Sequence, residues 1–291
     1  MEKMTNDNSG KTRKILFIVC ALVVAAAIIA AVVLAVNSNN AKKRAEEQRE
    51  MLSEMISQPL PTAETTDAPL PTAEPDAEPE PTPVVYDILD DYKLLFELNN
   101  DMIGWLHIDD TVIDYPVVKT PDDQIKYLYL NFMGEDDLNG TLYMNLGSLV
   151  GVGTKEMDYK DGFPPSTNML IYGHTMKSGE MFGNLNRYES EEYGKAHSRI
   201  NFDSLYEKRE YELISVFYSQ VYDDSSDAFK YYEFFQADTQ EEFDYWYDNI
   251  KELSLYDTGV TAEFGDEFIT LTCCAYHVDN GRFVVVAKRV A

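Results

Sequence analysis

The stretch from Glu267 to Val290, EFITLTCCAYHVDNGRFVVVAKRV, constrains this chain more than any other. Phe268 to Cys273 and Phe283 to Val290 alternate and then run apolar as strands do, and Asp279-Asn280-Gly281 between them is turn-forming. They read as a hairpin. Pairing brings Cys273 and Cys274, which end the first strand, to the same end of the sheet as Arg282, which opens the second. A nucleophile beside a fixed cation suggests acyl chemistry.

Ahead of the hairpin the chain divides by composition. Ile15 to Val36 is 22 residues without a charge or a helix breaker, long enough to cross a hydrocarbon core. It reads as a membrane span rather than a cleaved signal, because the apolar run exceeds the usual signal core. Lys3, Lys11, Arg13 and Lys14 precede it, and Lys42, Lys43, Arg44 and Arg49 follow. The counts tie, but Lys11, Arg13 and Lys14 lie closest to the span and the leading segment is short, which favours residues 1–14 inside and the folded part outside the cell. Residues 37–58 mix charges at helical spacing, as a short solvated stalk does. Pro59 to Pro83 turns to Pro, Thr, Ala and Glu, with PLPTAE at 59–64 and again at 69–74. Such a segment cannot bury apolar surface and reads as an extended spacer of roughly 75 Å. The folded domain is then 84–291.

Of the chain's 24 basic and 51 acidic residues, residues 84–291 hold 16 and 39, a net of −23. That surface excludes nucleic acid as a partner, repels anionic wall polymers and attracts amines, beyond its plain contribution to solubility. Cysteine usage points the same way. Outside a cell, cysteines usually pair, yet the domain offers only Cys273 and Cys274, whose ring would strain the peptide bond between them, while Cys20 lies in the apolar run. Cysteine without a disulfide framework invites a catalytic reading. Adjacent strand side chains point to opposite faces, so the pair does not read as ligands of one metal ion.

Within the domain, Asp87 to Asn99 places Ile88, Leu89, Tyr92, Leu95, Phe96 and Asn99 on one helical face. Strand-like runs follow at Ile103 to Ile108 and Val112 to Val118, with Pro116 marking an edge or bulge. A short helix is expected at Asp122 to Leu130 and a strand at Gly140 to Asn145. Asn168 to His174 reads as a strand ending at a Gly-His corner, followed by a helix-like segment from Met181 to His197. Lys208 to Val221 gives one or two strands. In the insertion Asp224 to Ser254, Phe243, Trp246, Tyr247, Ile250 and Leu253 recur at helical spacing, a stripe that predicts core packing rather than a ligand platform. The sum is a mainly β domain: a closed or nearly closed barrel of seven to eight strands, with an N-terminal helix and a long helical insertion before the cysteine strand.

The chain has four histidines. His107 sits inside a strand, His197 follows an acidic helix, and His277 lies in the short hairpin loop with little to fix its orientation. His174 ends a strand after Gly173, where the backbone can present a side chain above the barrel rim. Acyl transfer by cysteine needs a thiolate, an imidazole to manage protons and a donor for the oxyanion. His174, one of the two cysteines and Arg282 supply those parts.

These residues resemble a known family. Thr270-Leu271-Thr272-Cys273-Cys274 is similar to the sortase signature T-L-x-T-C, Asn168 to His174 with Met181-Phe182 to the sortase histidine segment, and Arg282 stands where that family keeps its arginine. Gly104-Trp105-Leu106, Thr111 to Val117, Tyr127-Leu128 and the late helical insertion resemble class B sortases, over about residues 87–291. The resemblance implies a membrane-anchored cysteine transpeptidase without a cofactor. Cys274 would be its nucleophile, His174 its proton donor and Arg282 its oxyanion donor, with Thr272 near the substrate groove. Its partners would be secreted proteins with a C-terminal sorting signal and an amine of the peptidoglycan precursor. Where the family has threonine before its cysteine, this chain has Cys273, and strand alternation turns one sulfur to the groove and the other inward.

Two rival readings exist. Papain-like hydrolases of wall peptides place Cys before His, whereas here His174 comes first, and the Ser-His-Gly-Cys run of L,D-transpeptidases is missing. A non-catalytic surface domain would make the three residues a coincidence.

Overall fold

A computed structural model describes residues 86–291, residues 42–56 and scattered positions between 23 and 40. Residues 1–14, the linker 59–83 and most of the apolar stretch 15–36 lie outside the described residues. Among the described residues no helix is long and apolar enough to cross a membrane. Residues 1–46 and 47–291 form two compact units, and the architecture below is that of the second.

Eight strands build it: β1 (Met102–His107), β2 (Asp114–Val118), β3 (Leu142–Met144), β4 (Asn168–Tyr172), β5 (Arg199–Ser204), β6 (Glu210–Gln220), β7 (Phe268–Cys274) and β8 (Gly281–Arg289). They close into a barrel in the order β1-β2-β3-β4-β7-β8-β6-β5. The pairs β2–β3 and β4–β7 are parallel, and the others antiparallel.

Period-two alternation sorts the side chains. Met169 and Ile171 of β4, Ile269, Leu271 and Cys273 of β7, and Phe283, Val285 and Ala287 of β8 share the main core. Their neighbours of opposite parity, Leu170, Phe268, Val284 and Val286, form a second core with Phe243, Trp246 and Ile250. Those three project from α4 (Gln240–Leu253), whose start is fixed by a capping box between Thr239 and Glu242. Each apolar side chain of this size contributes about 1.5–3 kcal/mol when buried, so the outer face of β4, β7 and β8 is as firmly held as the inner one.

A third core lies under α2 (Asp90–Leu98), where Tyr92 and Leu95 meet Trp105, Tyr127 and Phe132. Leu52 joins it, 2% exposed. It belongs to the helical stretch 47–56 of this unit, designated α1. These residues are therefore packed on the domain, where the charge pattern alone reads as a solvated stalk.

Other departures from the sequence reading are local. β5 is an additional strand that pairs with β1 and β6; its signal is two inward residues, Ile200 and Phe202, too short a run to register. Asp122 to Leu130 holds only one 3-10 turn, Lys126–Leu128, because its carbonyls serve the next loop: Thr141 N donates to Tyr127 O and Asp137 N to Tyr129 O. Met181 to His197 is broken into a 3-10 turn, Leu185–Glu189, and α3 (Glu191–Ala196), since Met181 adopts φ 53° and cannot open a helix. The register shift of the β1–β2 pair falls between Met102 and Gly104, not at Pro116. Leu253, the last residue of α4, is 41% exposed rather than part of the buried stripe.

Candidate active site

β7 is buried along its whole length except at its final residue, Cys274. The parity that packs Ile269 and Leu271 inside the barrel carries Cys273 with them, 3% exposed. Cys274 falls on the opposite parity, with Phe268, Thr270 and Thr272, at the point where cover ends. Burial pushes the Cys273 thiol up to about 11, with the Thr175 hydroxyl and Arg282 opposing. A thiol held in its protonated form by burial is a poor nucleophile, and Cys273 faces the core.

The neighbours of Cys274 follow from register. Across the antiparallel β7–β8 pair it lies opposite Arg282, which has the outward parity of Val284 and Val286. On its other side β4 pairs in parallel, from Asn168 against Phe268 to Tyr172 against Thr272. Continuing that offset sets His174 level with Cys274, on the parity of Leu170 and Tyr172. Two bonds hold the continuation: Gly173 N donates to Thr272 O at 3.2 Å, and the Thr175 hydroxyl donates to Cys274 O at 2.5 Å. Gly173 is required there, because a Cβ would come within 2.5 Å of both Leu142 and Phe182.

His174 is half-buried, its ring stacked on Tyr129 with centroids 5.6 Å apart. Its Nε2 lies 2.7 Å from Leu128 O. A carbonyl only accepts, so Nε2 carries the hydrogen and Nδ1 is the nitrogen left to exchange a proton. Arg282 donates from Nη1 to Asn280 O at 3.1 Å and Gly281 O at 3.0 Å. Among the described residues it makes no ion pair with a carboxylate. The turn beneath it is tight: Asn280 has φ 55°, and a Cβ on Gly281 would lie 2.3 Å from Ala275 O.

Thr272 is fully buried and offers no surface of its own to a peptide. Its hydroxyl is 2.7 Å from that of Tyr231, which the insertion before α4 lowers onto the strand. Tyr143 and Tyr172 pack beside the site with ring centroids 5.3 Å apart. Burial pushes Tyr143 up to about 12, the nearby Tyr172 and Cys274 adding to the rise and Arg282 opposing it. These tyrosines, Thr175 and the Leu128 carbonyl escape a sequence reading; the register of β3, β4 and β7 together with the 3-10 turns that carry Leu128 and Tyr231 brings them to one place.

The other histidines are occupied elsewhere. His107 bridges Asp109 at 2.8 Å and Asp114 at 3.1 Å. His197 Nδ1 lies 3.0 Å from Asp109 O, and His277 packs 4.6 Å from the Tyr218 ring on the exposed hairpin loop. Among the described residues no three His, Cys, Asp or Glu side chains cluster as metal ligands. The arrangement as a whole offers an exposed thiol between an imidazole and a guanidinium at one end of three adjacent strands, the parts that acyl transfer uses.

Comparison with known proteins gives a consistent result. A sortase-domain family profile matches residues 106–290. Sortase B of Listeria monocytogenes is 32% identical over 211 residues, 72% of this chain and 78% of that protein. The crystal structure of sortase B from Bacillus anthracis in complex with AAEK1 superposes with a TM-score of 0.56 at 30% identity, over 70% of this chain and 85% of that one. A Staphylococcus aureus sortase B–substrate complex, at 24% identity, shares the fold with a TM-score of 0.59, over 70% and 86%.

Proposed function

The chain belongs to the sortase family, class B, whose members are cysteine transpeptidases, and on that premise we propose that it joins secreted proteins to a cell-wall amine at the Cys274 site. Cys274 Sγ attacks the carbonyl carbon of the threonine in a C-terminal sorting motif of the type x-P-x-T-x. Arg282 stabilises the oxyanion, the peptide C–N bond breaks, and His174 protonates the departing amine. An amine of the peptidoglycan precursor then attacks the thioester, forming an amide and releasing the thiolate. The reaction needs no cofactor. The apolar stretch 15–36 anchors the enzyme in the cell membrane, with residues 1–14 inside and the catalytic domain outside.

One observation carries the reading: Cys274, the single exposed residue of β7, is paired with an arginine that has no carboxylate partner among the described residues, in a domain of net charge −23. Any arginine left unpaired in such surroundings is available to an anion that forms during reaction. The acidic surface further favours a cationic amine as acceptor, so raising ionic strength should slow the second step; an unchanged rate removes that part. The test of the whole is incubation with LPxTG-like and NPxTN-like peptides and an amine acceptor. Cleavage and joining are expected with a member of the panel and disappear in Cys274→Ala; activity that survives this substitution, or none with any peptide, refutes the assignment.

A further inference from the structure

Glu180 is 2% exposed, a buried carboxylate in a domain whose other acids mostly face water. It sits at the tip of a small lobe that begins at His174. Phe182 N donates to His174 O at 3.0 Å, Thr175 and Met181 form an antiparallel bridge, and Gly183 N donates to Glu180 O at 2.8 Å. Met181, 4% exposed, is held at φ 53°, a conformation that a methionine adopts only when its surroundings impose it. The lobe is thus closed on itself, with its tip tied back to the His174 backbone through Phe182.

Two contacts hold the tip. The Tyr115 hydroxyl of β2 donates to Glu180 Oε2 at 2.8 Å and accepts from Met181 N at 3.1 Å. Arg49 of α1 reaches the same Oε2 with Nη1 at 3.5 Å and Val112 O at 3.4 Å. The arginine side chain is 21% exposed and the carboxylate 2%, so each is largely withdrawn from water and depends on the other for compensation. α1 is seated beside this pair by Leu52 in the core under α2.

We propose that Arg49 is a positioning residue for His174: by neutralising Glu180 it locks the 174–183 lobe, so that catalysis requires α1 to be docked. The proposal rests on His174 acting as proton donor in the reaction above. Without Arg49 the buried Glu180 carboxylate keeps the Tyr115 hydroxyl but loses its cation, and the lobe relieves it by swinging Glu180 toward water. Removing the charge from Glu180 relieves it equally well, which gives the link a signature that a packing role would lack.

The experiment uses the full chain in detergent micelles, comparing the parent with Arg49→Ala, Arg49→Lys, Glu180→Gln and the Arg49→Ala/Glu180→Gln pair. Amide exchange of Met181 and Phe182 is expected to quicken about tenfold or more in Arg49→Ala, and kcat for peptide cleavage to fall about tenfold with KM within about twofold. Arg49→Lys should fall between, and the paired variant should return both readouts to within about threefold of the parent. A melting curve for each variant identifies any that fails to fold, and Arg49→Lys then carries the comparison. Unchanged exchange in Arg49→Ala, changed exchange with unchanged kcat, or failure of Glu180→Gln to rescue would each overturn the proposal. A parent chain that cleaves no peptide defeats the functional reading instead, and the exchange arm still decides whether Arg49 holds the lobe.

Discussion

The β7–β8 hairpin meets an arginine at each end, and the molecule treats the two in opposite ways. Arg289, 4% exposed in its side chain, bonds Glu267 and Glu207 at 2.8 Å each, the Tyr159 hydroxyl at 3.1 Å and Ala291 O at 2.9 Å. Burial works against its charge, but Glu207 and Glu267 outweigh burial and hold the guanidinium proton more tightly than usual. Arg282, seven residues earlier, is half-buried and bonds only two carbonyls of its own turn among the described residues. Four partners within the fold engage the Arg289 guanidinium, two of them carboxylates, whereas Arg282 meets only carbonyls of its own turn among the described residues. Residue type and hairpin are the same; what separates the two arginines is whether carboxylates come with them.

That contrast can be broken by substitution. Arg289→Ala leaves Glu207 with Arg209 and Glu267 with Lys155 as their remaining cations and should cost about 2–3 kcal/mol in chemical denaturation, while the folded fraction keeps its specific activity. Arg282→Ala should do the reverse, lowering kcat/KM about 10²–10³-fold with stability within about 0.5 kcal/mol of the parent. If the two variants lose stability and activity in parallel, the division of labour is wrong. Thr272→Val leaves the Tyr231 hydroxyl buried without its partner and should cost about 1–3 kcal/mol, read from the same denaturation curves.

The smallest effect belongs to His107, far from the site. Its hydrogen bond to Asp114, with a lesser one to Asp109, pushes it up to about 9 against the opposing effect of burial. A folded value above the unfolded one means that the interaction stabilises fully below the unfolded value near 6.5 and fades as pH rises through about 9. Because the imidazole is substantially exposed, the gain is about 1 kcal/mol or less. Melting temperature measured between pH 6 and 9.5 should decline less in His107→Gln than in the parent.

The hairpin, the Gly173-His174 corner, α2 and α4 are legible in the sequence because each is written in local periodicity or turn chemistry. Alternation alone even separates Cys273 from Cys274, since one shares parity with Ile269 and Leu271 and the other does not. What stays hidden is whatever depends on residues far apart in the chain. Tyr143, Tyr172 and Tyr231 reach the site from a three-residue strand, the end of β4 and an irregular insertion, and no window of sequence holds all three. Thr272 reads as a groove residue by its position next to the cysteines, yet Tyr231 covers it. The helical stretch 47–56 reads as solvated because its charges dominate, whereas Leu52, Met55 and Ile56 in the third core and the Arg49–Glu180 pair show that one side of it is docked.

The account turns on where the acyl group rests during turnover. Intact-mass and tandem mass spectrometry of the chain, quenched in acid with a sorting peptide that it cleaves, would locate it directly. The expected result is an adduct with the mass of the peptide's N-terminal fragment on Cys274, retained in Cys273→Ala and absent in Cys274→Ala. An adduct on Cys273, or one that persists without Cys274, would contradict it.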